Sequence, residues 1–276
     1  MSTVSRFPEG DRDAVIVSAV RTAVGKARKG SLAETRAEDL GRAALRGALE
    51  RVPELRPEWI EDVIIGCAMP EGEQGLNMAR IIALYAGLPV TVPAVTVNRF
   101  CASGLQSIAY AAQRIQLGEA DAVVAGGVES MSHVPMTGFR LSPHPGIVDS
   151  MPEAYMGMGH TAEEVARRYG VSREEQDAFA ASSHRKAAKA MEAGYFRNEI
   201  VPVQAVKSGV DDNGRPWERS FVFDADEGGR PDTTVQVLSA LKPSFAREGT
   251  VTAGNSSQMS DGAAAVVVMS RARAKE

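Results

Sequence analysis

Residues 94–105 read Ala94-Val95-Thr96-Val97-Asn98-Arg99-Phe100-Cys101-Ala102-Ser103-Gly104-Leu105, and the pattern of apolar positions changes partway along them. Ala94–Val97 is a short valine-rich run without regular alternation, as expected of a strand covered on both faces. Beyond it, Leu105, Ile108, Ala109, Ala112 and Ile115 recur at helical spacing. A strand therefore gives way to a helix within a few residues, and Cys101 stands at the junction. Unpaired amides and the positive end of the dipole at a helix start favour an anion, which lowers a thiol's pKa from about 8.5 and raises the fraction of the attacking thiolate. The small neighbours Ala102, Ser103 and Gly104 leave room for a substrate carbonyl, and the Cys101 N–H is placed to help stabilise its oxyanion. The plain alternative is a buried cysteine acting as a small hydrophobe. Cys67, within Ile64-Ile65-Gly66-Cys67-Ala68, has no junction beside it and is read as structural.

Working outward, similar apolar runs occur at Ala14–Val20, Val63–Ala68, Ala122–Ala125 and Ala263–Met269. Ala37, Leu40, Ala44 and Ala48 share one helical face between the first two. Strand, helix and strand in succession predict an α/β layered fold. Between about Ser132 and Gly262 Met, Pro, Gly and polar residues dominate, and an inserted subdomain is expected there. Within it, Thr161–Glu164 and Ser172–Glu175 have the spacing of capping boxes, so two helices should follow and end near Gly170 and Gly194. Asp211-Asp212-Asn213-Gly214 is a turn signal, and Asp224 to Asp232 reads as an exposed loop.

The 276 residues are 44% hydrophobic and 24% charged, enough for one large or two modest soluble domains. With 31 basic and 35 acidic side chains, the net charge of -4 gives no electrostatic reason to expect nucleic acid as a partner. The opening MSTVSRFPEGDR lacks the apolar core of a leader or anchor, and no apolar run reaches membrane-spanning length. Two cysteines without CxxC spacing offer neither a disulfide framework nor a metal site, which suits a reducing cytoplasm.

The run VNRFCASGLQSI (residues 97–108), with Ile115 downstream, resembles the active-site signature of the thiolase family, in which that cysteine is the acylated nucleophile. Other segments agree in order: VIVSAVRT (15–22), NMAR (77–80), GGVESMS (126–132), MGHTAE (158–163) and GTVTAGNSSQMSDGAA (249–264). The resemblance implies a thiolase-type mixed five-stranded sheet with helices on both faces and an inserted loop subdomain. Residues 1–131 and 262–276 would form the core domain, and 132–261 the insertion that closes over coenzyme A. Carried over residue by residue, Cys101 is the catalytic nucleophile, and Met158, Arg230, Phe245, Ala253, Ser257 and Met259 are the residues expected near the cofactor moiety. Arg230 offers a planar cation to an adenine face or phosphate, Phe245 and Met259 apolar walls to the pantetheine arm, and Ser257 a hydroxyl to its amides. Gly254 and Gly262 are read as allowing tight backbone turns.

The implied reaction converts acyl-CoA and acetyl-CoA to and from 3-ketoacyl-CoA and coenzyme A, with coenzyme A thioesters as substrates and no tightly bound cofactor. Family members continue into a second half carrying a Gly-His-Pro histidine and a Cys-x-Gly-Gly-Gly cysteine. None of His133, His144, His160 and His184 lies in Gly-His-Pro, and no cysteine follows Cys101, so that second domain is absent from these residues. An alternative is therefore a truncated, catalytically incompetent domain that only binds coenzyme A or supports assembly. The helix after Cys101 is apolar on most sides and expects burial all round, so a homodimer or higher homo-oligomer is predicted. A 3-ketoacyl synthase or 3-hydroxy-3-methylglutaryl-CoA synthase would share fold and nucleophile, but the MGHTAE and AGNSSQMSDGAA segments argue against these relatives.

Overall fold

A computed structural model describes residues 10–276; the opening stretch read as neither leader nor anchor lies, through residue 9, outside the described residues. In chain order come β1 (Ala14–Thr22), β2 (Gly25–Lys26), α1 (Ala37–Glu50), β3 (Asp62–Gly66), α2 (Met78–Tyr85), β4 (Ala94–Val97), α3 (Ser103–Leu117) and β5 (Ala122–Ser130). These are followed by α4 (Pro145–Ser150), α5 (Met158–Tyr169), α6 (Arg173–Glu192), β6 (Ile200–Val201), β7 (Val203–Val210) and β8 (Pro216–Phe223). The chain closes with α7 (Val235–Ser239), β9 (Ser260–Ser270) and α8 (Arg271–Lys275). No described helix is long and apolar enough to cross a membrane.

Among the described residues the main sheet has the order β4-β3-β5-β9-β1-β6, with β2 against β9. Its body is the five strands expected from the apolar runs; β2 and β6 add two residues each. The sheet is mixed: β3 runs parallel to β4 and β5, while β9 is antiparallel to both β5 and β1. In β3, β5 and β9 the unalternated apolar runs have a direct cause, because both faces are covered; β4, expected to be covered on both faces, is an edge strand with Val95 42% exposed. Val63, Ile65, Ala122, Val124, Ala265 and Val267 face the layer that contains α1 and α2, whereas Ile64, Val123, Ala125 and Val268 face α3. Leu40 and Leu45 of α1 are fully buried, each worth about 2 kcal/mol of removed apolar surface. The outer side of α3 is open in the described chain: Leu105 is 72% exposed and Leu117 75%.

The described chain divides into two compact units: residues 10–139, 199–227 and 260–276, and residues 140–198 with 228–259. The insertion expected as one block, 132–261, is thus interrupted, because residues 199–227 group with the sheet. Arg21 of β1 donates from Nε to Glu199 at 2.7 Å and from its two terminal nitrogens to Asp226 at 2.7 and 2.8 Å. Asp226 also accepts the Val24 amide, and Glu227 accepts the Ser31 amide and hydroxyl. The exposed loop expected at Asp224 to Asp232 is therefore anchored at its middle. Burial pushes the Asp226 carboxyl upward, but the Arg21 and Val24 bonds outweigh this and hold it below the usual aspartate value. The turn at Asp211 to Gly214 joins β7 to β8 as expected, with Asp211 Oδ1 accepting the Asn213 and Arg215 amides and Gly214 at φ +76°.

In the second unit Ser172 forms the expected capping box with Glu175, and α5 ends at the left-handed Gly170. The box expected at Thr161 does not form. α5 starts one turn earlier, after the extended Gly157, so Thr161 lies inside the helix and its hydroxyl donates back to the Gly157 carbonyl at 3.3 Å.

Candidate active site

At the end of β4 the chain must leave the sheet and turn into α3 within five residues, and a short set of hydrogen bonds fixes how it does so. Cys67 N–H, just past β3, donates to the Val97 carbonyl at 3.0 Å. Asn98 then bridges outward: its Nδ2 donates to the Ala68 carbonyl at 3.0 Å and its Oδ1 accepts the Phe100 amide at 2.8 Å. Phe100 takes φ +47°, the left-handed region that bulky residues rarely adopt. Ser103 closes the turn, accepting the Arg99 amide at 2.8 Å and donating to the Phe100 carbonyl at 2.5 Å. Cys101 follows Phe100 and is exposed. It immediately precedes Ala102, the cap residue of α3, which offers no side-chain bond to the leading amides. At the far end of α3, Arg12 donates to the Ile115 and Ala120 carbonyls, so a cation meets the negative end of the same helix.

The helix start rests on glycine. A Cβ at Gly66 would stand 2.4 Å from the Ser103 carbonyl carbon and 2.6 Å from the Gly104 nitrogen; a Cβ at Gly127 would meet the Gly104 Cα at 3.4 Å. Ser107 pins the next turn, donating to the Gly126 carbonyl at 2.7 Å and accepting the Gly126 amide at 3.1 Å. The backbone of α3 thus lies directly on β3 and β5, and Cys101 is held at the rim of the sheet. Ser103 and Gly104 were read from the sequence only as small neighbours of Cys101, and Gly66, Ser107, Gly126 and Gly127 were not singled out; Gly126-Gly127 inside an apolar strand is the signal that could have found the bed, because paired glycines there mark close backbone approach.

Cys67 has the opposite environment. It is buried, and desolvation followed by the nearby Glu129 charge pushes its thiol up to about 12. Glu129 accepts the Ala68 amide at 2.7 Å and the Gln74 Nε2 at 2.7 Å, and Gln74, itself fully buried, accepts the Ser130 amide at 2.5 Å. This carboxylate gathers the loop after β3, including the Ala68 whose carbonyl Asn98 engages.

The six residues expected near coenzyme A all lie in the second unit, whereas Cys101 lies in the first. All six are exposed: Met158 at 63%, Met259 at 40% and Phe245 at 38% are the large apolar ones. The Phe245 ring lies over Gly159, next to Met158, where a Cβ would be 2.2 Å away, and meets the His160 ring edge-on at 6.1 Å. Arg230 donates its amide to His184 Nδ1 at 3.3 Å, and its guanidinium makes no ion pair among the described residues. Ala253 and Ser257 sit on the segment 249–257, which α5 and α6 hold. Glu163 accepts the Thr250 and Val251 amides, and the buried Asp177 accepts both Arg173 Nε at 2.8 Å and Asn255 Nδ2 at 3.0 Å. Desolvation raises Glu163, and the Thr250 and Val251 amides more than offset it, leaving the carboxyl below its ordinary value. Gly254 has a steric role: a Cβ would meet the Leu238 and Leu241 side chains at 2.5 Å. Gly262 is less demanding, with Thr22 Oγ1 at 3.5 Å from a Cβ.

Comparison with known proteins bears on the family and the fold. The family model described as thiolase, N-terminal domain, matches residues 14–272. A 3-ketoacyl-CoA thiolase of Bacillus subtilis (strain 168) is 58% identical over 263 residues, covering 95% of this chain and 67% of that protein. A 3-ketoacyl-CoA thiolase of Cronobacter sakazakii is 48% identical, with 95% and 66% covered. The crystal structure of the Bacillus anthracis acetyl-CoA acetyltransferase superposes with a TM-score of 0.79 at 38% identity, over 95% of this chain and 66% of that one. The chain thus spans about two thirds of the length of the relatives it matches. With a mixed sheet, a cysteine at the β4–α3 junction and a family match along nearly its whole length, the chain belongs to the thiolase family, of which it carries the N-terminal domain.

Proposed function

We propose that this chain is the nucleophile-bearing part of an acyl-CoA C-acyltransferase, with Cys101 as the residue that carries the acyl group. The observation that carries the reading is the contrast between the cysteines: Cys101 is exposed before the first turn of α3, and Cys67 is buried with its thiol pushed up to about 12. In thiolysis the Cys101 thiolate attacks the 3-keto carbon, the C2–C3 bond breaks, and its electron pair leaves with acetyl-CoA, which takes up a proton. The thiol of coenzyme A then takes the acyl group and Cys101 returns to thiolate; condensation runs the steps in reverse. The Cys101 N–H supports the oxyanion. The enol and thiol protons require acid–base groups that Gly-His-Pro and Cys-x-Gly-Gly-Gly would supply, and neither motif is present in these residues.

Coenzyme A thioesters are the substrates in this reading, with no tightly bound cofactor. Arg230 fits a phosphate or adenine because its guanidinium is unpaired among the described residues, and Met158, Phe245 and Met259 present apolar surface to a pantetheine arm. Ala253 and Ser257 complete the set on a braced segment. We place the enzyme in the cytoplasm and as a homodimer or higher homo-oligomer, since edge strand β4 leaves Val95 42% exposed and α3 leaves Leu105 and Leu117 open; elution as a monomer at micromolar concentration would contradict the oligomer.

The deciding experiment is incubation with acetyl-CoA followed by intact-mass measurement. One acetyl increment is expected on the chain and none on Cys101→Ala. An adduct without thiolysis identifies the acyl-accepting half-reaction. Absence of any adduct favours the second reading, a coenzyme A-binding or assembly module.

A further inference from the structure

The turn that presents Cys101 is energetically awkward, and one side chain resolves it. A left-handed φ at a bulky residue costs about 1–2 kcal/mol, and Phe100 holds φ +47° while being 64% exposed, so core packing does not compensate. The compensation is local. Asn98 Oδ1 accepts the Phe100 amide at 2.8 Å, an Asx turn, and Asn98 Nδ2 donates to the Ala68 carbonyl at 3.0 Å. Ala68 is itself fixed, because its amide donates to Glu129 at 2.7 Å. A continuous path therefore runs from Glu129 on β5 through Ala68 and the Asn98 side-chain amide to the Arg99–Phe100 peptide, one residue before Cys101. Ser103 fastens the same turn from the helix side through the Arg99 amide and the Phe100 carbonyl.

We infer that Asn98 is a positioning residue for the nucleophile: its two hydrogen bonds hold the left-handed Phe100 and so fix Cys101 at the start of α3. This rests on the reading of Cys101 as the reactive residue. Both ends of the amide are needed. The acceptor fixes the Phe100 peptide, and the donor ties that peptide to the loop after β3; without the donor the Asx turn survives but loses its anchor to the sheet.

The test uses the whole chain and two variants. Native iodoacetamide alkylation of Cys101 is followed by peptide mass spectrometry across pH, with Cys67 as an internal reporter of unfolding. Asn98→Ala is expected to slow Cys101 alkylation about fivefold, the size of one net hydrogen bond, while Cys67 stays unlabelled. Asn98→Asp retains the acceptor for the Phe100 amide, loses the donor to Ala68 and places a negative charge near the thiol; its pH profile for Cys101 alkylation is expected to move to higher pH, a displacement absent in Asn98→Ala. If Asn98→Ala fails to fold, the high-pH plateau rate of Cys101 alkylation in Asn98→Asp decides: the lost Ala68 bond is expected to lower it below wild type, and a wild-type plateau overturns the inference. Alkylation of Cys101 in the folded variants at the wild-type rate at every pH would overturn the inference. If wild-type Cys101 takes no acetyl group from acetyl-CoA but the variants alter alkylation as stated, the acyl-transfer reading fails and the positioning role stands.

Discussion

Replacement of Gly66 by alanine is expected to destabilise the chain by about 3 kcal/mol, the upper range for forcing an extra methyl into a filled interior, and to slow Cys101 alkylation about tenfold through displacement of the helix start. The new Cβ would meet the Ser103 carbonyl carbon at 2.4 Å, the Ser103 oxygen at 2.6 Å and the Gly104 nitrogen at 2.6 Å. All three are backbone atoms, so no rotamer change relieves the clash. Either α3 lifts at its first turn, breaking the Ser107 bonds to Gly126, or β3 yields and disturbs its pairing with β4 and β5. Urea unfolding monitored by circular dichroism measures the first effect and peptide-resolved alkylation the second. Gly87→Ala is the informative control. It sits at positive φ, +92°, which Gly66 does not, and has nothing within 4 Å of a Cβ, so it reports the cost of backbone strain where there is no collision.

Glu129→Ala is expected to cost about 3 kcal/mol, because removing one partner of a buried network leaves the others unsatisfied. Its carboxylate accepts the Ala68 and Met69 amides and the Gln74 side chain, and Gln74 is fully buried. A chemical signature accompanies the loss. Burial is the main cause of the raised Cys67 thiol and the Glu129 charge the next, so deleting the charge and loosening the loop both lower that thiol toward its ordinary value. Cys67, inert in the wild type, should become alkylatable at pH 8 in the folded variant. Glu129→Gln keeps one acceptor and should lie between the two. Unchanged stability together with an unreactive Cys67 would show that the network is incidental.

The central strands β3, β5 and β9 were legible because both their faces are covered, whereas β4 proved to be a partly open edge strand. Val63 and Ile65 serve one layer and Ile64 the other, so β3 reads as one uninterrupted apolar run. The junction at Cys101 was legible from the change of period across it. Other features could not be read locally. Arg21 meets Glu199 across 178 residues and Asp226 across 205, and nothing in a window around either end signals that residues 199–227 return to the sheet unit. Thr161 and Glu164 have capping-box spacing, yet the helix began at Met158, since the extended Gly157 lets the chain enter the helix a turn sooner. The set around Cys101 was half legible: the cysteine and its small neighbours were read and the paired Gly126-Gly127 was a signal left unused, while the roles of Asn98, Phe100 and Gly66 emerge only when β3, β4, β5 and α3 are assembled.

The claim on which the account turns is that the cysteine at the β4–α3 junction is the reactive one, and native competition for a limiting amount of iodoacetamide at pH 8 measures it most directly. Label is expected on Cys101 alone, with Cys67 protected by burial and by a thiol pushed up to about 12. Preferential labelling of Cys67 in the folded chain would contradict it.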